Sequence, residues 1–563
     1  MEGQSMAKMN IVKKFSFEAN QASVPKNVTL IACPWTFYGD KPEFVSQQLG
    51  LGYVGAAAEA VGHKIVAYID PMIRGGEYIR VPIQTKLQMT NRFGYSDEWI
   101  VSQIPLETDI IGINAPFTDS RIVLYPLIKK IKDAFPNVPI VVGGILGTTL
   151  PQQVIKESGA DIVVKGEGEI AFVRILNDTP LEQIPGLVLK KPNGEIFESK
   201  LRSEQLLTID LIPPPGYNFR PMKEYVKHSP RGNKKDVTLS IISSRGCPFT
   251  CEFCSIPEKG QRWRPFNPER ILAEIKMAIE MWGVNHIEFE DDNFTLEEPR
   301  ALAVLKYLRG LRSSGYDITC SFPNGIMIDK MTEALAVLLV EAGTEIAYLP
   351  VESGCTRTLL SMDKPMAEHH LLKSLQVAKW CVDAKLRVSC FFIVAYPGGA
   401  LNRKYYRSSE FLAKHKKYLI KEDGTFFAGS ESVENYVKSQ KELFMVGEDE
   451  ESYETTLAFC KKLLEIGVKG ITPLIATPYP GTEMYRVCEI FNWLAYEDDR
   501  DVLTTVSYAA MNPGRIQIKT PWCSQERAYE RWREMMDMFP TYHNVRKVED
   551  EDKLLTGKEI RKK

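Results

Sequence analysis

The hydrophobic positions in the first third of the chain form short runs that alternate with longer helical stretches. Five runs predict strands: Asn27–Pro34, His63–Asp70, Asp109–Pro116, Pro139–Gly144 and Asp161–Gly166. Between them the spacing predicts helices at Leu51–Val61, Arg121–Phe135 and Pro151–Ser158. Continuous apolar strands that alternate with helices are typical of a parallel sheet covered on both faces. The pattern therefore predicts a doubly wound α/β domain over residues 26–175.

A second alternating series begins at Thr238 and predicts six more strands. They are Thr238–Ser243, His286–Asp291, Ile318–Phe322, Glu345–Val351, Arg387–Ala395 and Lys469–Ala476. Helical periodicity separates them, as at Pro268–Trp282, where apolar residues recur on one face. Six β/α units over residues 237–485 predict an open, partial (β/α)6 barrel. In such barrels the chemistry lies at the carboxyl ends of the strands.

The remaining segments have less regular patterns. Residues 1–25 predict a leader, and residues 176–236, which contain the run PPPG, predict a linker between the two series. Residues 400–450 are rich in Lys, Tyr, Ser and Glu and interrupt the second series, which predicts an insertion that forms either a lid or a disordered loop. Residues 486–563 predict a small, mostly helical region that covers the substrate and ends in a charged tail.

Charge and hydropathy exclude several classes of protein. The 70 Lys and Arg residues nearly balance the 72 Asp and Glu residues, so nucleic acid is not an expected partner. No apolar run approaches the ~20 residues that a transmembrane helix needs, and the first residues lack the pattern of a signal peptide. The 11 cysteines are unevenly spaced and do not predict a disulfide framework. The cytoplasm is the expected location.

Three of the cysteines lie within eight residues, directly after the first strand of the second series. Cys247, Cys251 and Cys254 have the spacing C-x3-C-x2-C, and three thiolates on one loop select soft metals or iron-sulfur clusters. The alternative is a structural zinc site, which normally has four ligands and would need Cys320 or His286 to complete it. Three ligands leave one iron of a 4Fe-4S cluster open to another molecule, and this favours the cluster.

The cysteine segment resembles the radical SAM superfamily, which carries C-x3-C-x-aromatic-C after the first barrel strand. The resemblance covers most of residues 238–485 and implies that the open iron binds S-adenosylmethionine, whose reductive cleavage gives a 5′-deoxyadenosyl radical. Family landmarks follow in order at Glu288–Phe294, Phe322–Gly325, Pro350–Gly354, Ala395–Gly398 and Thr477–Gly481. They imply an S-adenosylmethionine site built from Phe253, Asp291, Asp292, Asn324, Glu352, Ser353 and Gly354. The two aspartates could instead cap the next helix.

Glycines follow two strands of the first series, in PIVVGG at 139–144 and in ADIVVKGEGE at 160–169. Such glycines let a ligand approach the backbone closely. With LGLGYVGAAAEAVGH at 49–63, they resemble the cobalamin-binding domain, of flavodoxin-like or Rossmann-like fold, that precedes many radical SAM barrels. The resemblance implies a corrinoid beside Gly143, Gly144, Gly166, Glu167 and Gly168. The loop at 33–42 has no histidine, so we expect cobalt without a histidine lower ligand; a degenerate domain that has lost cobalamin is the alternative.

Together, the two modules resemble the cobalamin-dependent radical SAM methyltransferases. The resemblance implies methyl transfer from methylcobalamin to a carbon of a small biosynthetic intermediate or a peptide, with a flavodoxin or ferredoxin-type electron donor. The alternatives are a non-methylating cyclase or oxidative-rearrangement enzyme, a radical SAM enzyme with a degenerate cobalamin domain, and a non-catalytic carrier. No catalytic residue or substrate is assigned. Arg262, Trp263 and Arg264 could contact an anionic group or simply pack at the surface.

Overall fold

The computed structural model describes residue 22 and residues 24–37, 45–73, 81–84, 89–200, 208–227, 236–256, 262–495 and 516–539. Most of the predicted leader and of the charged tail lie outside these residues. The described residues up to 198 form ten strands: β1 (Asn27–Ala32), β2 (Trp35–Phe37), β3 (Lys64–Ile69), β4 (Val81–Gln84), β5 (Met89–Phe93), β6 (Ile110–Asn114), β7 (Ile140–Gly143), β8 (Ile162–Val164), β9 (Leu187–Lys190) and β10 (Ile196–Glu198).

Seven of these strands form one sheet in the order β10-β9-β8-β7-β6-β1-β3. The pairs from β8 to β3 are parallel, which confirms the predicted doubly wound α/β domain. Strands β9 and β10 join it antiparallel, although the sequence analysis placed residues 187–198 in the linker. They are joined by a tight turn at 191–195, where the Lys191 amide donates to the Glu195 carbonyl, and no crossover helix marks them in the sequence. Strands β2, β5 and β4 form a small separate sheet.

Helices of this domain cover both faces of the sheet. They are α1 (Leu49–Ala60), α2 (Asp97–Ser102), α3 (Arg121–Ala134), α4 (Ile145–Thr149), α5 (Pro151–Ser158) and α6 (Glu169–Leu176), and α7 (Met222–Tyr225) follows in the connection to the next domain. Small residues let α1 lie close to β1. A Cβ on Gly55 would come within 2.6 Å of Leu30 Cδ1, so a larger residue would push the helix off the sheet.

The described residues after 236 form a second set of strands. They are β11 (Thr238–Ile241), β12 (Ser244–Arg245), β13 (Arg264–Pro265), β14 (His286–Phe289), β15 (Thr319–Ser321), β16 (Ile346–Glu352), β17 (Arg387–Val394), β18 (Gly398–Ala400), β19 (Leu419–Ile420), β20 (Phe444–Val446) and β21 (Gly470–Ile475). Strands β11, β14 and β15 form one parallel sheet, and β16, β17 and β21 form another. A parallel bridge between Cys320 and Thr344 joins the two sheets. This arrangement confirms the predicted partial barrel of six strands.

The helices of the second half pack around the barrel and continue beyond it. They are α8 (Pro268–Trp282), α9 (Glu298–Ser313), α10 (Glu333–Glu341), α11 (Thr356–Ser361), α12 (Ala367–Asp383), α13 (Ser409–His415), α14 (Val433–Lys438), α15 (Glu450–Ile466), α16 (Glu483–Ile490) and α17 (Gln525–Met538). The buried Arg531 holds α17 in place by donating to the Glu448 carbonyl oxygen, at 3.0 Å. None of the described helices is long and apolar enough to cross a membrane.

Residues 400–450 form an ordered subdomain, so the alternative of a disordered loop is wrong. Strands β18, β20 and β19 make a small antiparallel sheet, and α13 and α14 pack beside it. Buried Phe411, Leu419 and Phe444 give the subdomain an apolar core. These apolar residues are widely spaced among Lys and Glu. The average composition of residues 400–450 is therefore polar, and it led the sequence analysis to include disorder as an alternative.

Candidate functional site

A cavity of about 260 Å³ lies between the carboxyl edge of the first sheet and the mouth of the barrel. One wall includes Asn114, Gly143 and Val164, at the ends of β6, β7 and β8. The opposite wall includes Arg245, in β12, and Asp292, which follows β14. Residues from 400 onward contribute nothing to these walls, so the insertion and the C-terminal region do not cover this cavity in the described part of the chain.

All five residues predicted to lie beside a corrinoid line the cavity: Gly143, Gly144, Gly166, Glu167 and Gly168. Gly144 has φ +91° and Gly166 has φ +86°, a backbone region that other residues rarely adopt. A Cβ on Gly143 would meet no atom within 4 Å. Gly143 is thus open to the cavity, whereas a Cβ on Gly144 would come within 2.4 Å of the Ala115 carbonyl oxygen, so Gly144 is required by backbone packing. These strand ends form a glycine cradle of bare backbone, which fits a flat, bulky ligand such as a corrin ring.

Histidine is absent from the described walls of this cavity. His63 precedes β3 and so lies at the opposite edge of the sheet. Its Nδ1 accepts from the Lys26 amide at 3.1 Å, and its Nε2 lies 3.0 Å from Asn177 Oδ1. Burial is the main cause that lowers the pKa of His63. These contacts give His63 a packing role within the first domain.

A buried ion network connects the two domains next to the cavity. Arg264 of the barrel forms a two-bond ion pair with Glu167 of the first domain, with one contact at 3.1 Å. Arg245 contacts Glu169 at 2.8 Å and Glu167 at 3.7 Å. The side chains of Arg264 and Glu167 are only 2% and 9% exposed. The anionic group that Arg264 contacts therefore belongs to the protein itself, and the side chain of Glu167 is directed at the barrel. Sequence reasoning missed this pairing.

The cysteine loop follows β12, at the mouth of the barrel. The pKa of the Cys251 thiol is raised to about 12, mainly by burial; Lys364 lowers it, and the nearby Cys254, Glu352 and Cys247 add to the rise. The 11 cysteines, all within the described residues, are free thiols. No group of three or more His, Cys, Asp and Glu side chains among the described residues has the arrangement of a bound metal ion. The fit to an iron-sulfur cluster rests on three neighbouring free thiols, which are the donors that such clusters use.

The fourth ligands suggested for a zinc site are engaged elsewhere. Both ring nitrogens of His286 lie within 2.9 Å of hydroxyl groups, those of Thr319 and Ser321. The Cys320 thiol is buried and lies 3.2 Å from Thr344 Oγ1. His286 and Cys320 lie along β14 and β15, whereas the cysteine loop follows the carboxyl end of β11. The described residues therefore do not support a four-ligand zinc site at this loop.

A buried glutamate inside the loop was missed by the sequence analysis. Glu252 lies between two of the cysteines and is 4% exposed. Its carboxylate accepts from the Ala400 amide at 3.1 Å. A Cβ on Gly399 would come within 1.9 Å of the same carboxylate, so only glycine allows this close approach. Burial, and then the neighbouring Glu483 and Asp363, raise the pKa of Glu252 well above its usual value. The contact fixes the back of the cysteine loop to strand β18.

Asp291 is fully buried within the barrel. Its carboxylate accepts from the amide and hydroxyl of Ser243 at 2.9 and 2.8 Å, and also from the Ser244 hydroxyl. Arg300 lies 3.7 Å away. These contacts occupy the side chain with partners from the protein and join the end of β14 to the segment that precedes the cysteine loop. A contact between Asp291 and S-adenosylmethionine stays a prediction.

Asp292 lies at the cavity wall, whereas Asn324 is exposed and does not line the cavity. Asp292 lines the cavity; burial, and then the adjacent Asp291 carboxylate, raise the pKa of Asp292 to about 6. Asn324 is exposed, and its amide donates to the carbonyl oxygens of Glu290 and Asp291, both at 3.3 Å. The two neighbouring aspartates therefore differ in role, because one is enclosed by the barrel and the other faces the cavity.

Glu352 ends β16 in an unusual conformation. Its φ is +69°, and the pairing register with β17 shifts between Pro350 and Glu352. Such strain in a residue other than glycine often marks a functional site. Its carboxylate binds Lys364 at 3.0 Å, and both side chains are 10% exposed. Burial disfavours the charged form of Lys364, but Glu352 and the nearby Cys251 thiol outweigh this and raise the pKa of Lys364.

The neighbours of Glu352 are held by packing. The amide of Gly354 donates to Thr456 Oγ1 at 3.1 Å, and Ser353 Oγ lies 3.3 Å from the same atom. A Cβ on Gly354 would come within 2.6 Å of the Thr456 Cα. Lys364 also lies 6.0 Å from the ring centre of Phe253 in the cysteine loop. Lys364 thus connects Glu352, at the end of β16, with Phe253 in the cysteine loop. No local sequence pattern indicated this link.

Two family models match the chain over separate ranges. Residues 35–176 match the B12 binding domain, and residues 241–401 match the Radical SAM superfamily. The first range contains the glycine cradle, and the second contains the cysteine loop and Glu352. A radical SAM domain uses a 4Fe-4S cluster and S-adenosylmethionine, and a B12-binding domain binds cobalamin. These are the three cofactors that the sequence analysis predicted.

Curated relatives are similar over parts of the chain. An uncharacterized methyltransferase of Pyrococcus horikoshii is 29% identical over 388 residues, which is 68% of this chain and 69% of that protein. The cytidylyl-2-hydroxyethylphosphonate methyltransferase of Streptomyces wedmorensis is 24% identical over 62% of this chain and 69% of its own. The anaerobic magnesium-protoporphyrin IX monomethyl ester cyclase of Cereibacter sphaeroides is 28% identical over 35% of this chain and 32% of its own.

Solved structures show the same fold over most of the chain. The radical S-adenosylmethionine methyltransferase TsrM of Kitasatospora setae has a TM-score of 0.58 and 15% identity, over 91% of this chain and 89% of that chain. The cobalamin-dependent S-adenosylmethionine radical enzyme OxsB has a TM-score of 0.59 and 16% identity, over 91% and 67% of the two chains. By the two family models, the chain carries a B12-binding domain followed by a radical SAM domain, and the cofactors of these two domains are cobalamin, a 4Fe-4S cluster and S-adenosylmethionine.

Proposed function

We propose that the protein is a methyltransferase that transfers a methyl group from methylcobalamin to a carbon of a small biosynthetic intermediate or a peptide. The observation that carries the proposal is the shared cavity, where the glycine cradle of the first domain faces barrel residues adjacent to the cysteine loop. A substrate between these walls would lie within reach of both cofactors. The relatives named as methyltransferases support the methylation.

We propose Cys247, Cys251 and Cys254 as the ligands of the 4Fe-4S cluster, and the glycine strand ends as the surface that holds the corrin. When bound, the cofactors supply the radical and methyl-transfer chemistry, whereas the protein supplies position and shielding. The ion pair of Glu167 and Arg264 joins the two walls beside the cavity, and we expect it to help exclude water there. Asp292 provides a polar group on the barrel wall.

We also propose that Glu352 helps to bind S-adenosylmethionine, together with Phe253, Asp292, Asn324, Ser353 and Gly354. In support, Glu352 is strained, buried and joined through Lys364 to the cysteine loop. Hydrogen bonds to a charged group contribute about 1.5–3 kcal/mol.

Replacing Glu352 with alanine is expected to weaken S-adenosylmethionine binding about tenfold or more and to leave the cluster intact. The dissociation constant would be measured by equilibrium dialysis on anaerobically reconstituted protein, together with iron and sulfide content. Glu345→Ala, at the other end of the same strand segment and 58% exposed, is the matched control. Equal affinity in wild type and Glu352→Ala would show that Glu352 does not bind this cofactor.

An anaerobic turnover assay tests the proposed function directly. Reconstituted protein with cobalamin, S-adenosylmethionine and dithionite is expected to form both 5′-deoxyadenosine and S-adenosylhomocysteine, followed by mass spectrometry. S-adenosylmethionine with a deuterated methyl group would then mark a methylated carbon in candidate intermediates and peptides. Deoxyadenosine without S-adenosylhomocysteine would contradict methylation and favour a non-methylating reaction, a class represented by the cyclase relative. Protein without added reductant is the control.

A further inference from the structure

A strongly basic surface lies on the subdomain formed by residues 400–450. The segment 403–417 carries six Lys and Arg residues and one carboxylate, that of Glu410. Five of the cations are exposed and define the basic surface: Arg403, Lys404, Arg407, Lys414 and Lys417. Within the described part of the chain, Lys417 has an acidic partner, Glu451 at 3.8 Å, and no ion pair forms at the other four. The chain as a whole has a net charge of −2, so this concentration of positive charge is local.

The basic surface is connected to the cysteine loop through hydrogen bonds to Asp363. Thr250, which precedes Cys251, donates its hydroxyl to Asp363 Oδ2 at 2.5 Å. The other oxygen of the Asp363 carboxylate accepts from the Asn402 side-chain amide at 3.2 Å. Arg403, the first cation of the surface, follows Asn402 directly. Thr250 and Arg403 are both exposed, so solvent reaches the outer side of the loop and the start of the basic surface.

Local structure presents these cations in fixed positions. Asn402 caps the 3-10 helix Arg403–Arg407 by accepting from the Lys404 amide at 3.1 Å. Ser408 caps α13 by accepting from the Phe411 amide, also at 3.1 Å. Phe411 packs into the apolar core of the subdomain. Four of these five cations form no ion pair within the described residues, and such an ordered array of positive charge favours a binding surface for an anionic partner.

We propose that the basic surface is the docking site of an acidic electron-transfer protein that reduces the cluster. The inference rests on the proposed ligation of the cluster by the cysteine loop. The cavity side of the loop faces the first domain across the buried ion network, whereas the outer side, where Thr250 lies, is exposed to an approaching protein donor. One electron passes from the donor to the cluster, no bond forms or breaks, and the donor leaves oxidised by one electron.

The size and charge of the surface match such a partner. Weak electron-transfer complexes bury little area and depend on opposite charges to steer the encounter, which raises association rates by about 10–1000-fold at low ionic strength. An extended nucleic acid would contact many phosphates and would need a longer basic track. Five cations beside the cluster loop therefore favour a small acidic protein.

The test uses the triple variant Arg403→Glu, Arg407→Glu, Lys414→Glu and reduced flavodoxin as the probe. The matched control is Lys306→Glu, Lys461→Glu, Lys462→Glu, which changes the net charge equally at exposed lysines of α9 and α15. Affinity for oxidised flavodoxin, measured by biolayer interferometry at low ionic strength, is expected to fall about tenfold or more in the first variant only. The rate at which flavodoxin reduces the cluster should fall in parallel. Both differences should shrink at about 1 M salt, where the Debye length is roughly 3 Å.

Dithionite separates this inference from the proposed function, because a small reductant does not need the docking surface. We expect dithionite to reduce the cluster and support turnover equally in wild type and both variants. Wild-type affinity and reduction rate in the first variant would overturn the proposal. Loss of binding to a single-stranded RNA probe, with unchanged flavodoxin binding, would also overturn it and would assign the surface to nucleic acid. Absence of methylated product with dithionite would instead count against the methyltransferase proposal alone.

Discussion

Replacement of Cys251 with alanine is expected to abolish cluster binding and, with it, all formation of 5′-deoxyadenosine. Cys251 is the central residue of the three, and its thiol is buried enough for the pKa to rise to about 12. Binding of the thiolate to iron must therefore offset the free-energy cost of burying its charge. Without Cys251 only two thiolates remain, and a 4Fe-4S cluster needs at least three from the protein. Cys247→Ala and Cys254→Ala are expected to act in the same way. Iron and sulfide content and the visible absorption of the reconstituted protein measure the loss.

The control is Cys523→Ala, which removes a buried thiol that lies far from the loop in sequence. It should retain the cluster, at a modest cost in stability of about 1 kcal/mol. Full iron and sulfide in all three loop variants would refute ligation by these cysteines. Stoichiometric zinc without iron in the wild-type protein, after anaerobic purification, would instead revive the zinc alternative.

The fold could be predicted because its strands are buried on both faces. Sequences such as VTLIA at 28–32 and IVVG at 140–143 are apolar throughout, and helices with one apolar face separate them. The positions of the predicted cradle glycines were also accessible from the sequence, because only glycine readily adopts the positive φ of residues 144 and 166. A backbone conformation that only glycine readily adopts can therefore be inferred from the identity of a single residue in the sequence.

Contacts between distant segments left no such signal. The pairing of Glu167 with Arg264 joins residues 97 positions apart, and Lys364 reaches Glu352 across a helix and a turn. The sequence also could not distinguish Asp291 from Asp292, because the direction of each side chain depends on Ser243, Ser244 and Arg300 from other segments. These pairings depend on how the two domains and the barrel strands meet.

The ion network between the domains should control the stability of their interface. Glu167, Glu169, Arg245 and Arg264 carry two negative and two positive charges, so the network is neutral as a whole. Arg264→Met would leave Glu167 with Arg245 alone, at 3.7 Å, and an excess negative charge in a buried position. Removal of one partner from a buried ion pair costs about 3–5 kcal/mol. We expect a loss of this size in the free energy of unfolding, measured in urea on a transition shown to be cooperative.

A neutral double variant distinguishes charge from shape in the same network. Glu167→Gln should also destabilise the protein, because it leaves an excess positive charge, whereas Arg264→Met with Glu167→Gln restores neutrality and should recover most of the stability. The difference gives the coupling energy of the pair, which should exceed about 1 kcal/mol. Lys379→Met, which removes half of the exposed pair with Asp383, is the control and should cost under about 0.5 kcal/mol. If Arg264→Met cost no more than this control, the interface would depend on its apolar contacts, and the position of the glycine cradle opposite the barrel would not require the ion network.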